Sequence, residues 1–271
     1  MTTKPSIEIE EVFKPSPSMI IRNIILKRAS KFGIVWIYKW ITQGIDEKNP
    51  KIDAKQSTPL HFAATGGHYN LSNYIIKNID ILTSNKNPSN KYGWTPLHFA
   101  AKKGHLSICI LIMDNVLDKN PKAKNGQTPL HLAAQNGYLE CCVHIMGYLE
   151  MKNPKDDNGT TPLHLAAEKG HFDVCKFIIE RAEDKNPATE KGWTPLHNAA
   201  QNGHHNVFEL ILEYTKEKNP LSVDGFTPLH LASQMGHFNI CRSLSKKIKN
   251  KIPRSNLGNV TPLHIGKLNL K

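Results

Sequence analysis

The chain has 271 residues, of which 39% are hydrophobic, and its formal net charge is +12. The most apolar N-terminal segment, residues 19–26, is short, contains Arg22 and follows the acidic stretch Glu8 to Glu11. It is therefore too short to cross a membrane and is not typical of a secretion signal. We expect a folded protein without a transmembrane segment, located in the cytoplasm, with the nucleus as the alternative.

The positive charge is concentrated at the two ends of the chain. Residues 58–241 contain 17 Lys and Arg against 17 Asp and Glu, whereas residues 1–57 contribute +4 (10 − 6) and residues 242–271 contribute +8 (8 − 0). The C-terminal residues form a candidate basic patch: Arg242, Lys246, Lys247, Lys249, Lys251 and Arg254. Such a cluster is either a solvated end of the fold or a docking patch for an acidic protein, nucleic acid or anionic lipid. The sequence leaves both interpretations open.

In chain order, residues 1–18 come first and contain Pro5, Pro15 and Pro17, which predicts a disordered leader. Residues 19–50 predict a degenerate first unit that caps the N-terminal end of a repeat array. The spacing of Leu26 and Ala29 in that segment matches the spacing of small and apolar residues in the repeats that follow.

A tetrapeptide repeat then organises the remainder of the chain. Thr-Pro-Leu-His begins at residues 58, 95, 128, 161, 194, 227 and 261, and the copies from 95 to 227 are 33 residues apart. Lys-Asn-Pro recurs between them. A repeat of this length indicates stacked helical pairs that bury their apolar faces against each other. We predict six full units over residues 51–253 and a partial unit with a basic tail over residues 254–271.

The local structure of one unit follows from residues 158–170. Asn158-Gly159 predicts a tight turn, because glycine adopts positive φ without a steric cost. Thr161 is a suitable N-cap, and Pro162 suits the first helical turn, where a missing N–H costs nothing. Gly170 is expected to end this helix in a left-handed conformation.

A second helix is expected after Gly170. Val174, Phe177 and Ile178 recur at helical spacing and predict an apolar face. Pro187 is expected to stop the helix. Each unit thus consists of a turn, a helix, a second turn and a second helix.

This pattern resembles the ankyrin repeat, since residues 95–105 read Thr-Pro-Leu-His-Phe-Ala-Ala-Lys-Lys-Gly-His and residues 161–171 repeat the same motif. The resemblance extends from about residue 29 to the C-terminus. It implies an all-α repeat solenoid of stacked helix-turn-helix units with β-hairpin loops, whose concave helix face and hairpin tips usually contact other proteins. Lys-Asn-Pro differs from the Gly-Ala-Asp-Val-Asn that is usual in the family.

Cysteine and histidine recur in register with the repeat. Cys109, Cys142, Cys175 and Cys241 each follow a repeat threonine by fourteen residues, and Cys141 lies beside the second of these. We interpret them as packing residues in a reducing compartment. Twelve of the fourteen histidines also occupy repeat positions, seven in Thr-Pro-Leu-His and five after the helix-ending glycine. We predict that they connect a helix start to the next loop, because neutral histidine offers one donor and one acceptor.

The sequence contains no phosphate-binding glycine loop, nucleophile elbow or His-Glu-x-x-His motif. It therefore predicts a protein that is not an enzyme, with no catalytic residues, cofactor, metal or small-molecule substrate.

Candidate binding residues are found where the repeats differ. The residue before each threonine is a large aromatic at Trp94, Trp193 and Phe226, which are predicted as anchors unless they pack against the neighbouring hairpin. Tyr92 belongs to the same group. The pair that ends each first helix also varies and adds the polar candidates Lys102, Lys103, Gln135, Asn136, Gln201 and Asn202.

The sequence thus predicts a protein–protein interaction scaffold or adaptor that binds a partner through its hairpin tips and concave helix face. One alternative is an adaptor that docks on nucleic acid or an anionic membrane through the basic C-terminal end. Another is that the chain is the repeat segment of a larger channel, kinase or scaffold.

Overall fold

The computed structural model describes residues 19–79 and 86–248, and within these ranges fourteen helices form seven consecutive pairs. The first helices of the pairs are α1 (Met19–Phe32), α3 (Pro59–Thr65), α5 (Pro96–Lys103), α7 (Pro129–Gln135), α9 (Pro162–Lys169), α11 (Pro195–Gln201) and α13 (Pro228–Gln234). The second helices are α2 (Val35–Thr42), α4 (Tyr69–Asn78), α6 (Leu106–Asp114), α8 (Leu139–Gly147), α10 (Phe172–Arg181), α12 (His205–Tyr214) and α14 (Phe238–Lys247). The predicted leader and partial C-terminal unit lie outside the described residues.

The helices stack in two rows. Each first helix contacts the first helix of the next pair, which gives an inner row, and the second helices form an outer row beside it. The core lies between the rows and includes fully buried leucines and alanine pairs of the inner row, such as Leu163, Ala166 and Ala167. The outer row contributes buried isoleucines to this core, such as Ile145, Ile178 and Ile211. This arrangement confirms the predicted all-helical solenoid, and within the described ranges no helix is long and apolar enough to cross a bilayer.

The helix starts agree with the local prediction. Thr161 is the N-cap of α9 with an extended backbone, and Pro162 occupies the first turn. The backbone N–H of Thr161 donates to Nδ1 of His164 over 3.1 Å, so a histidine takes the place that glutamate usually has in a capping box. Gly170 ends α9 with φ of 75°, a conformation that only glycine adopts at little cost.

The end of the second helix corrects the prediction that Pro187 stops it. Helix α10 ends at Arg181, several residues before the proline. The Nζ of Lys185 lies 2.5 Å from the carbonyl oxygens of Ile179 and Ala182 at the helix end. A lysine ammonium satisfies these last carbonyls and interacts favourably with the helix dipole. The helix therefore ends on a lysine side chain, and the proline lies in the segment that follows.

The turns between units are paired along the stack. In one turn the backbone N–H of Asp156 donates to the carbonyl of Thr160 over 2.8 Å, and Gly159 adopts positive φ. Neighbouring turns are joined by further backbone hydrogen bonds, as between the N–H of Lys124 and the carbonyl of Tyr92. These are the predicted hairpin loops, although none of the described residues lies in a regular β-strand.

The cysteines lie in the outer row. Cys109, Cys141, Cys142 and Cys175 are buried, as the packing interpretation predicts, while Cys241 is half-buried. Burial raises the pKa of Cys175 to about 12. Its thiol is therefore protonated and unreactive at neutral pH.

Candidate functional site

The histidines of Thr-Pro-Leu-His connect neighbouring units. In each of five repeats Nδ1 accepts the backbone N–H of the threonine, while Nε2 lies 3.0–3.2 Å from the carbonyl oxygen of the residue that precedes the next threonine. For example, His61 Nε2 donates to Trp94, and His164 Nε2 donates to Trp193. These contacts confirm the prediction that histidine joins a helix start to the next loop.

These histidines are neutral at physiological pH. Burial lowers the pKa of His61, His98, His164 and His197 from 6.5 to about 4, and it also lowers the pKa of His131. A buried imidazolium loses its hydration, which favours the neutral ring. Because both ring nitrogens are already engaged, these rings are not free to act as general bases.

The histidines that follow the helix-ending glycine form a second set of connections. His171 Nε2 donates to the carbonyl of Gln135 over 3.1 Å, and His204 Nε2 donates to that of Glu168 over 2.9 Å. Each ring also covers the glycine of the preceding unit, so that a Cβ added at Gly137 would lie 2.6 Å from His171. Both histidine sets therefore belong to the scaffold.

The asparagine of Lys-Asn-Pro is a cap that the sequence analysis did not identify. The Oδ1 of Asn153 accepts the backbone N–H of Leu163 over 3.1 Å, and the same bond recurs in all six described copies of the motif. Leucine is the second residue of each inner helix after α1, where the N–H has no partner within the helix. The recurrence of asparagine ten or eleven residues before this leucine is the signal that could have revealed the cap.

The three predicted anchor aromatics are half-buried. Their backbones close the turns next to the N-caps, so they lie at the base of each turn and not near its tip. Each ring packs on the histidine of its own unit, with centroid distances of 5.9 Å for Trp94 and His98 and 5.7 Å for Trp193 and His197. Phe226 contacts His230 at 5.9 Å. Each side chain thus has one side packed on a histidine while part of it remains exposed.

The other candidates lie at the tip of a turn and at the ends of the inner helices. Tyr92 lies at the tip of a turn, and 48% of it is exposed. Lys102 and Lys103 are exposed, and the Nζ of Lys102 lies 5.1 Å from the centre of the Trp94 ring. Gln135 and Gln201 are half-buried at the ends of their helices, whereas Asn136 and Asn202 are exposed. Together with the turns, these inner-row ends form one surface, which we call the turn face.

A groove of about 910 Å³ lies at the N-terminal end of the turn face. Its aromatic residues are Phe62, Tyr92, Trp94 and Phe99, and the rings of Trp94 and Phe99 are 5.2 Å apart. Sequence analysis missed Phe62 and Phe99 because it considered only the residue before each threonine. We call this the N-terminal groove; its lining residues are Lys27, Lys31, Asp53, Lys55, Ser57, His61, Phe62, Thr65, Gly66, Asn90, Tyr92, Trp94, Phe99, Lys124 and Asn125.

The candidate basic patch is described only in part. Arg242, Lys246 and Lys247 lie on α14, where the Nζ of Lys247 contacts Glu209 over 2.9 Å. Lys249, Lys251 and Arg254 lie outside the described residues. The patch of six basic residues therefore stays a prediction from the sequence.

Comparison with known proteins identifies the family. A family model described as ankyrin repeats (3 copies) matches residues 26–123, 115–189 and 183–256. A search of curated proteins found no match. Ankyrin repeats generally mediate protein–protein interaction and are typically non-catalytic. The model match covers most of the chain and agrees with the stacked helical pairs, and the chain therefore belongs to the ankyrin repeat family.

Proposed function

We propose that this chain is a non-enzymatic adaptor that binds a partner protein through its turn face, which corresponds to the concave helix face and hairpin tips of ankyrin stacks. The observation that carries this proposal is the placement of three half-exposed aromatics, Trp94, Trp193 and Phe226, at the same repeat position in three units of the stack. Large aromatic side chains that remain accessible are enriched at the energetic centres of protein interfaces.

The non-enzymatic part of the proposal is supported by how the histidines are used. Five histidines of Thr-Pro-Leu-His have both ring nitrogens engaged in hydrogen bonds, and burial lowers their pKa values, which keeps the rings neutral: His61, His98, His131, His164 and His197. Burial likewise raises the pKa of the Cys142 and Cys175 thiols. These abundant candidates for catalysis therefore serve packing and connection.

The test compares two variants, each of which removes two tryptophans and one phenylalanine, but from different faces of the stack. The first carries Trp94→Ala, Trp193→Ala and Phe226→Ala on the turn face. The control carries Trp36→Ala, Trp40→Ala and Phe238→Ala on the outer row, where these residues are 71%, 50% and 72% exposed. A partner captured with the parent chain and identified by mass spectrometry is then titrated against each variant.

We expect the turn-face variant to lose a few kcal/mol of binding free energy in total, or roughly 30-fold or more in affinity, and the control to bind as the parent does. Circular dichroism melting establishes that both variants fold. Because the turn-face rings contact buried histidines, Tyr92→Ala supplies a second test at an exposed position. Parent-like affinity in the folded turn-face variant would contradict the proposal.

A further inference from the structure

We infer that the N-terminal groove binds an acidic segment of the partner protein, with an apolar side chain of that segment seated against the groove's aromatic residues. This inference rests on the proposed function and specifies which part of the turn face is used and which chemistry it selects. It is supported by the composition of the groove, by its local charge and by the way in which its aromatic rings are covered.

The aromatic residues distinguish this groove from the rest of the stack. Phe62 and Phe99 directly follow the histidine of Thr-Pro-Leu-His and are half-buried. The four later full units have leucine or asparagine at this position, and Leu132, Leu165 and Leu231 are buried there. The first two full units therefore expose apolar area where the corresponding leucines of later units are buried. An exposed cluster of this kind is typical of an interaction site.

The charge around these rings is positive. Lys27 and Lys31 on α1 line one side of the groove, and Lys55 and Lys124 project from two turns. Among the described lining residues, Asp53 is the one acid, which leaves a local formal charge of +3 (4 − 1). The Oδ1 of Asp53 accepts the backbone N–H groups of Lys55 and Ser57, and its Oδ2 lies 3.8 Å from the Nζ of Lys27. Asp53 thus stabilises the turn and pairs with one of the four lysines, and the other three supply the excess charge.

This local charge contrasts with the repeat region as a whole. Residues 58–241 carry 17 basic and 17 acidic residues, whereas three of the four groove lysines belong to residues 1–57, which contribute +4 (10 − 6). The excess at the groove thus comes from lysines that the first pair and the turns bring together. Basic groups around an apolar site favour carboxylates on the ligand and increase the association rate.

The geometry favours an acidic protein segment over a nucleic acid. Sequence-tolerant binding of single strands requires aromatic faces on which bases stack. Here the Nζ of Lys27 lies 5.2 Å from the centre of the Phe62 ring, and that of Lys102 lies 5.1 Å from the centre of the Trp94 ring. The rings of Trp94 and Phe99 are inclined at 59° to each other. The rings thus form an irregular apolar surface beneath ammonium groups, and not a set of open parallel faces.

Two groove variants separate the contributions of charge and apolar contact. The first, Lys31→Glu with Lys124→Glu, reverses the charge at two exposed positions. The second, Phe62→Leu with Phe99→Leu, introduces the residue that Leu132 and Leu165 provide in later units, so the fold is expected to tolerate it. The control, Lys176→Glu with Lys216→Glu, makes the same charge change at exposed positions outside the groove.

The probes are twelve-residue peptides selected from a displayed random library on the full chain, together with a twelve-residue oligouridylate. We expect the selected peptides to combine Asp or Glu with an aromatic or aliphatic residue. Each groove variant should weaken their binding at least tenfold, and the control variant should not. Affinity should also fall as NaCl is raised from about 50 to 500 mM, because salt screens exposed charges.

The outcomes separate this inference from the proposed function. Three outcomes would each overturn the inference. The selected peptides could be neutral or basic, or the groove variants could bind them as tightly as the parent chain does. The chain could also bind oligouridylate in a way that the charge reversal abolishes. If the captured partner tolerates both groove variants but is lost by Trp193→Ala with Phe226→Ala, the proposed function stands and the groove assignment fails. If none of these variants affects the partner, both are wrong.

Discussion

At the scale of single residues, the histidines that recur in each repeat form hydrogen bonds with backbone groups of the scaffold. His164 accepts from Thr161 with Nδ1 and donates to Trp193 with Nε2. This pair of bonds requires the neutral ring, because an imidazolium has no acceptor nitrogen. The folded stack therefore stabilises several uncharged histidines, and this makes its stability depend on pH.

We expect the free energy of unfolding to decrease as pH falls from about 6.5 toward 4. In the unfolded chain histidine has a pKa near 6.5, whereas four buried histidines have a folded-state pKa of about 4. Between these values the unfolded chain binds more protons, so acid favours unfolding. Urea denaturation at pH 7.5, 6.5 and 5.5 should reveal uptake of at least two protons near pH 5.5, or a slope of about 3 kcal/mol per pH unit.

His164→Gln serves as the matched variant for this measurement. Removing one buried histidine should decrease the proton uptake near pH 5.5 by about one, whatever its effect on stability at neutral pH. A free energy of unfolding that does not change over this pH range would contradict the neutral assignment of these rings.

At the scale of helices, some helix ends are fixed by residues at the end itself and others by residues several positions away in the sequence. The roles of Thr161, Pro162 and Gly170 could be predicted from the sequence, because each depends on the preferences of the residue itself. The role of Asn153 could not be predicted in this way, because its partner N–H at Leu163 comes close only after the intervening segment turns. The role of Lys185 likewise depends on how the chain turns after α10, and this is why Pro187 is not the residue that ends the helix.

The asparagine cap can be tested with a matched pair of variants. Asn153→Ala removes the acceptor for the N–H of Leu163 and should destabilise the protein by about 1 kcal/mol. Asn153→Asp retains the acceptor and places a negative charge at the helix N-terminus, so it should be close to neutral. Urea denaturation at pH 7.5 measures both. Equal loss in the two variants would show that the hydrogen bond is not the source of stability.

At the scale of the whole molecule, the stack is held together by contacts between adjacent units. The repeat period and the Leu-Ala-Ala pattern were sufficient to predict this architecture, because every unit must bury its apolar face on its neighbours. The N-terminal groove could be predicted only in part. Trp94 and Tyr92 were identified from the sequence, but Phe62 and Lys27 join them only through the stacking of α1, α3 and α5.

The core at the centre of the stack can be tested with leucines of opposite exposure. Leu163 is fully buried in α9, so Leu163→Ala should cost about 2–5 kcal/mol through lost burial and the cavity that remains. Leu117 is 100% exposed, and Leu117→Ala should change stability by less than about 0.5 kcal/mol. If the two variants had the same denaturation midpoint, the placement of the core between the two rows would be contradicted.

The central claim is that the partner protein contacts the turn face, and site-specific photo-crosslinking tests it most directly. A photoreactive phenylalanine analogue replaces Tyr92 on the turn face in one chain and Trp36 on the outer row in another, since both side chains are exposed. After irradiation with the captured partner, we expect crosslinks from position 92 and none above background from position 36. Crosslinks from position 36 without any from position 92 would contradict the account.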